Sequence, residues 1–188
     1  MKNIYHSDIY KFNTPVKSYW EDISQENLNL EKLTKDINSE VVVIGGGYTG
    51  LLCAINLIEN HNLDVILVEA GKIGWGASSR NAGFNCLPPS KMSFKKMQSI
   101  YGVEETKKFF KNSVSGSNYT RDIIKEFNID CDVTGESNYV VAHHKSKFEK
   151  IKEQAEIYKS EFDIETKIYS KDEFNEIGHG GTEQYGAF

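Results

Sequence analysis

A glycine-rich turn between two β-branched runs most restricts how this chain can fold. Val41–Ile44 is an apolar run that ends at three consecutive glycines, and an apolar segment over residues 48–58 and a second run, Val65–Val68, come next. Short uninterrupted runs of this kind predict buried parallel strands. The order strand, tight turn, helix, strand predicts a βαβ unit with a right-handed crossover. We therefore expect an α/β fold with a parallel sheet.

The turn has the sequence GGGYTG, which satisfies the pattern G-x-G-x-x-G at the start of the predicted helix. Gly45 permits the tight turn, Gly47 leaves room for a diphosphate, and Gly50 lets helix and strand pack closely. Free N–H groups at the helix start would face the anion. The pattern predicts a Rossmann-like nucleotide site, whose contact residues in this turn are Gly45, Gly47, Tyr48, Thr49 and Gly50.

Glu69 ends the second predicted strand, 22 residues beyond Gly47. An acidic side chain at this position accepts hydrogen bonds from the adenosine ribose hydroxyls, and its charge would repel a 2′-phosphate. NADP is therefore disfavoured. A glycine-rich turn that binds nothing is the alternative, but the combination of turn, helix and acidic residue favours a dinucleotide.

A second segment of small and polar residues follows, with Gly74–Gly83 spelling GWGASSRNAG. Such a loop can wrap an extended dinucleotide, and its serine, arginine and asparagine side chains offer hydrogen-bond donors. A solvated surface loop is the alternative. The predicted contact residues here are Ala70, Gly76, Ala77, Ser78, Ser79, Arg80, Asn81 and Gly83.

This block and the stretch VVVIGGGYTGL resemble the two FAD-contacting segments of the glycine oxidase/D-amino-acid oxidase family of flavoproteins. The likeness extends to Ser18–Tyr19–Trp20 and to residues 128–141, which look most like the γ-glutamylputrescine oxidase branch. The resemblance implies an FAD-dependent oxidoreductase that oxidises the C–N bond of a small amine or amino acid to an imine, with hydride transfer to the flavin. It identifies no catalytic residue in this chain.

The resemblance also bears on how FAD is held and on how much of the family pattern is present. Some relatives attach flavin through a histidine, but Arg80 occupies the matching position, and its protonated guanidinium is no nucleophile. We therefore expect non-covalent FAD. The sequence stops as the family pattern enters its substrate domain, so we expect these residues alone to be inactive. A second chain that completes the fold is one expected partner.

Three regions follow from the pattern along the chain. Residues 1–38 form a polar extension whose aromatic side chains we expect to pack onto a body elsewhere. Residues 39–128 form the FAD-binding region, with a helical insertion from Ser90 onward. Residues 129–188 begin a β-rich, incomplete substrate domain. Its predicted elements are a turn at residues 134–136, a strand with an open edge at Tyr139–Ala142, a helix over residues 146–160 and a short strand at Ile164–Tyr169.

Charge and cysteine content exclude other classes. The 22 basic and 27 acidic residues give a net charge of −5, which argues against nucleic-acid binding. Cys53, Cys86 and Cys131 show no C-x-x-C spacing, and His143 and His144 would point to opposite faces of a strand, so no metal site is expected. No secretory signal or membrane span is predicted, and we expect a cytoplasmic protein.

Two alternatives remain open at this point. The first is an NAD-binding dehydrogenase domain, which the block from Ala77 to Gly83 disfavours. The second is a truncated, non-catalytic flavoprotein remnant that binds a nucleotide or a partner. A flavin spectrum of the purified protein would separate both from an FAD-dependent enzyme.

Overall fold

A computed structural model of the chain describes residues 4–14, 17–24, 28–87, 91–135, 137–179 and 181–188. The chain divides into two compact units, Met1–Phe84 and Asn85–Phe188. This division falls between the boundaries that the sequence suggested after residues 38 and 128, and the three-region scheme stays a prediction.

The first unit contains a parallel pair of strands connected by a helix. Strand β1 (Val41–Ile44) pairs with strand β2 (Val65–Val68), and the register sets Val41 opposite Val65 and Ile44 opposite Val68. The predicted α/β class is confirmed at the level of a mixed fold with a small parallel sheet. The elements are a 3₁₀ helix at Ser7–Tyr10, α1 at Tyr19–Ile23, β1 at Val41–Ile44, α2 at Tyr48–His61, β2 at Val65–Val68 and a 3₁₀ helix at Ala77–Ser79.

Local sequence explains where α2 ends. Asn62 adopts the left-handed conformation (φ 51°), and its N–H donates to the carbonyl groups of Leu57 and Ile58. Asparagine tolerates this conformation, and the bonds satisfy carbonyls that the helix end would otherwise leave without a donor. The chain then turns directly into β2.

The prediction that the strands are buried is wrong for β1. The side chains of Val42 and Ile44 are 57% and 85% exposed. Strand side chains alternate between two faces, and among the described residues nothing packs on the face that carries these two. The β-branched run therefore forms the predicted strand without the predicted burial.

The second unit is mainly helical, and the helices predicted from Ser90 onward and over residues 146–160 are confirmed. Ser90 itself lies outside the described residues, and the first of these helices begins at Phe94. Gly102, with φ +84°, separates this helix, α3 (Phe94–Tyr101), from the next helix, α4 (Val103–Glu126). The elements are α3 at Phe94–Tyr101, α4 at Val103–Glu126, α5 at Lys145–Phe162, α6 at Lys171–Phe174 and a π-helical turn at Asn175–His179.

One hydrophobic core fills this second unit. Phe110 on α4 stacks on Phe162 of α5 at 5.1 Å between ring centroids and meets Phe94 of α3 edge-on at 5.3 Å. Aromatic side chains bury large areas and prefer these geometries. The buried members of the cluster are Phe94, Met97, Phe110, Ala142, Ile151, Ala155, Tyr158 and Phe188.

The strands predicted at Tyr139–Ala142 and Ile164–Tyr169 do not form as regular strands. Instead, Val141 and Tyr169 each make an isolated antiparallel bridge to Ala187. The Val140 N–H donates to the Phe188 carbonyl at 2.9 Å and the Ala142 N–H to the Gly186 carbonyl at 2.9 Å, so one edge of this segment is paired with the last residues. Gly186, with φ +119°, departs from strand geometry inside this pairing, which keeps each ladder short. Of the turn predicted at residues 134–136, Glu136 lies outside the described residues.

Candidate nucleotide-binding site

Close packing around the glycine-rich turn joins β1 to the start of α2. Gly45 has φ +107°, and its N–H donates to the Val68 carbonyl at 2.8 Å, which extends the pairing of the two strands. A Cβ atom added to Gly50 would collide with the Gly45 carbonyl oxygen. Only glycine lets the first turn of α2 lie this close to the end of the strand.

The start of α2 faces a serine from the second loop. Gly47 is the N-terminal capping residue of α2 and has no side chain to accept from the helix. Instead, the Tyr48 N–H donates to Ser78 Oγ at 3.0 Å. A Cβ atom on Gly47 would lie 2.8 Å from the same Oγ. Gly47, Tyr48 and Ser78, three of the predicted site residues, thus converge at the positive end of the helix dipole, where an anion is favoured.

Glu69 connects the end of β2 to the turn. One of its carboxylate oxygens accepts from the Gly46 N–H at 2.6 Å and the other from the Gly71 N–H at 2.9 Å. Each oxygen keeps a further lone pair, so ribose hydroxyls could still donate to it. Gly46 is buried, and a Cβ atom there would collide with Ile73. Gly46 was not predicted as a site residue, although a glycine at the variable position between Gly45 and Gly47 was the available signal.

The second loop lies directly against the turn. The Gly74 N–H donates to the Gly46 carbonyl at 2.9 Å, and Ser79 Oγ donates to the Gly74 carbonyl. Asn81 folds back on its own loop, because its amide nitrogen donates to the Ser78 carbonyl at 2.8 Å and its amide oxygen accepts from the Gly83 N–H at 2.7 Å. These bonds give the loop a defined shape.

A cavity of about 230 Å³ lies between the turn and the loop. Of the predicted site residues, Tyr48, Ser78 and Ser79 line it. Pockets that enclose drug-sized ligands occupy about 300–1,000 Å³. The cavity is smaller than such pockets and is open to solvent. Its complete lining is Trp20, Gly46, Tyr48, Leu51, Gly74, Ser78 and Ser79.

The other predicted residues have different positions. The Arg80 guanidinium stacks over the Trp75 ring at 4.4 Å, and its side chain is not part of the cavity lining. Trp20, Leu51 and Gly74 also line the cavity but were not predicted as contact residues. Leu51 and Gly74 lie within the two segments that resemble FAD-contacting stretches, which was the available signal, whereas the contact of Trp20 depends on how distant segments fold together. The predicted residues outside the lining are Gly45, Gly47, Thr49, Gly50, Glu69, Ala70, Gly76, Ala77, Arg80, Asn81 and Gly83.

The described residues show neither a cluster of three His, Cys, Asp or Glu side chains placed to hold a metal ion, nor a helix both long and apolar enough to cross a membrane.

Comparison with known proteins places this geometry in a family. Residues 40–188 match the family described as FAD dependent oxidoreductase (DAO). The chain belongs to this FAD-dependent oxidoreductase family. The resemblance to these flavoproteins that the two glycine-containing segments predicted is therefore confirmed.

Particular relatives extend the comparison. The chain is 32% identical to γ-glutamylputrescine oxidoreductase of Escherichia coli (strain K12) over 143 residues, 75% of this chain and 33% of that protein. It is 26% identical to the probable oxidoreductase OrdL of Haemophilus influenzae over 123 residues, 65% of this chain and 28% of that protein. The predicted likeness to the γ-glutamylputrescine branch is confirmed. The chain spans about a third of the length of the curated relatives it matches. No solved structure matches it.

Proposed function

We propose that this chain supplies the dinucleotide-binding part of an enzyme that uses non-covalent FAD to oxidise a small amine or amino acid. The observation that carries the proposal is the convergence of Gly47, the Tyr48 N–H and Ser78 Oγ at the start of α2. Family membership supports FAD over the NAD-binding alternative.

The residues at the cavity fit a diphosphate. The Ser78 hydroxyl accepts from the Tyr48 N–H, so its own hydrogen is available to donate to a phosphate oxygen. A side chain on Gly47 would fill the space in front of it. Glu69 holds the turn through Gly46 and would accept from the ribose hydroxyls with its remaining lone pairs. The arrangement is a Rossmann-like cradle for the phosphate portion of the ligand.

When bound, FAD would accept a hydride equivalent from the carbon next to the amine nitrogen. The C–H bond would break with transfer of both its electrons as that hydride, the nitrogen would release one proton to solvent, and the resulting imine would be hydrolysed by water to a carbonyl compound and an amine or ammonia. The residues of this chain bind and orient the cofactor in this scheme. We assign none of them as a catalytic acid, base or substrate-binding group.

FAD titration of the purified protein tests the site. Gly47→Val should abolish binding, because a branched side chain would occupy the phosphate position. Glu69→Ala should weaken binding by about 1.5–3 kcal/mol, the contribution of hydrogen bonds to a charged group. Gly116→Val and Glu59→Ala are matched controls, since the first adds a side chain in open space and the second removes an exposed carboxylate from α2. Unchanged affinity in both site variants would mean that the site is wrongly placed.

Acid precipitation tests the mode of attachment. Because Arg80 stands where some relatives carry a flavin-binding histidine, denatured protein should release yellow FAD into the supernatant. Flavin that stays on a peptide spanning Ile73 to Pro89 would contradict the proposal.

We further propose that these 188 residues alone turn over no amine. Flavin oxidation needs a substrate carbon held close to the reactive nitrogen in a pocket without water, whereas the cavity at the start of α2 is open to solvent. The test is an aerobic screen of amino acids and polyamines for peroxide, with an artificial dye acceptor as a second assay. Sustained turnover that depends on a substrate would refute it.

A further inference from the structure

The N-terminal extension is tied to the second loop of the candidate site. The Trp20 indole N–H donates to the Asn81 carbonyl at 2.7 Å. The Trp75 indole N–H donates to the Thr14 carbonyl at 3.4 Å, and Phe12 packs edge-on against Trp75 with 5.3 Å between ring centroids. We call Phe12, Thr14 and Trp20 the N-terminal strap.

The strap also explains a glycine of the second loop. Gly83 has φ +74°, and a Cβ atom added there would lie 2.8 Å from Cζ2 of Trp20. The absent side chain therefore makes room for an indole ring of the same protein. The sequence suggested a cofactor contact at Gly83, and the structure gives this residue a partner within the chain.

Trp20 also reaches the cavity itself. Its half-buried ring lines the cavity together with Tyr48 and Ser78, the two residues that meet at the start of α2. A single side chain thus borders the cavity and hydrogen-bonds the loop residue Asn81. Ile23 on the same helix is 43% exposed and does not line the cavity, which makes it a matched control.

We propose that Trp20 is a further cofactor-site residue, which positions the loop at Asn81–Gly83 and forms a wall of the cavity against the bound dinucleotide. This inference rests on the proposed binding of FAD. It assigns to the extension a part in cofactor binding that lies outside the two glycine-containing segments.

The test compares Trp20→Phe, Trp20→Ala and Ile23→Ala in the purified protein by FAD titration. Trp20→Phe removes the indole donor but keeps an aromatic ring, so it should weaken FAD binding about three- to tenfold, as the loss of one hydrogen bond predicts. Trp20→Ala also removes the wall and should weaken binding more. Ile23→Ala should leave the affinity unchanged. Far-UV circular dichroism checks that each variant is folded. If Trp20→Ala does not fold, the FAD affinity of Trp20→Phe alone tests the proposal.

Amide hydrogen exchange without FAD supplies a second readout. Both Trp20 variants should raise exchange at Asn81–Gly83, because the loop loses its bond to the strap. Wild-type protein that fails to bind FAD would overturn the proposed function and this inference with it. Wild-type protein that binds FAD, with Trp20 variants that bind it equally well, would overturn this inference alone.

Discussion

The two units of the chain are held together in different ways. In the second unit, Phe110 is 2% exposed and belongs to a cluster of eight buried side chains. In the described part of the first unit, Ala54 is the one apolar side chain that counts as buried. The first unit instead depends on backbone contacts around Gly46 and Gly50, where an added Cβ atom would collide with a neighbour.

This difference separates a packed body from a site. Buried apolar surface is the dominant favourable term in folding, so the second unit has an evident source of stability. The first unit places backbone N–H groups and polar side chains around a cavity, which favours ligand binding over side-chain burial. Two helical glycines show the contrast locally, because a Cβ atom on Gly50 would meet a carbonyl oxygen whereas one on Gly116 of α4 would meet open space.

The largest effect should come from the core of the second unit. Phe110→Ala removes a ring that stacks on Phe162 at 5.1 Å, and should lower the free energy of unfolding by about 3–5 kcal/mol. Phe109→Ala is the control, since Phe109 is 40% exposed and should cost only about 1 kcal/mol. Urea denaturation measures both. Equal losses would show that the core assignment is wrong.

A smaller pair of effects should have opposite signs in the two units. Gly50→Ala forces a methyl group against the Gly45 carbonyl and should destabilise the first unit by about 1–3 kcal/mol. Gly116→Ala adds the same group where nothing lies within 4 Å, and should stabilise α4 by about 0.4–1 kcal/mol. Amide hydrogen exchange in α2 and α4 reports each unit separately. If both substitutions change the amide-exchange protection of their helices in the same direction, the stated difference between the two units is wrong.

Features set by short stretches of sequence were predictable. The strand at Val41–Ile44, the turn that follows it and the helix that starts at Tyr48 all form as expected, because a β-branched run, glycines and an apolar helical segment act locally. Gly102 separates two helices, as a glycine with φ +84° can. The placement of Ser78 at the helix start also follows from a recognisable segment.

Features set by distant partners were not predictable. Exposure of Val42 and Ile44 depends on which elements cover the sheet, and the β-branched pattern alone predicted burial. Val141 pairs with Ala187, and the sequence pattern near either residue does not identify the other. Trp20 meets Asn81 across 61 positions, so its place at the cavity was missed for the same reason.

The smallest effect should come from an ion pair of the second unit. Lys107 Nζ on α4 lies 2.5 Å from a carboxylate oxygen of Glu161 on α5. Its hydrogen bond to Glu161, and then the charge of that carboxylate, raise the pKa of Lys107 above its ordinary value. Both side chains remain about one-third exposed, so solvent and salt screen the interaction.

Glu161→Gln should therefore lower the unfolding midpoint at neutral pH by much less than Phe110→Ala does. Because the pKa of Lys107 is raised in the folded state, the stabilisation is fully present below the ordinary lysine pKa and is lost as the pH rises through the raised one. The difference between wild type and Glu161→Gln should shrink above that pH, and also in high salt at pH 7. Glu156→Gln, an exposed position on the same helix, controls for the loss of one negative charge. If the difference in unfolding midpoint persists in alkaline solution and in high salt, Glu161 acts through packing. The stability of the second unit would then depend less on its aromatic core than the comparison of the two units requires.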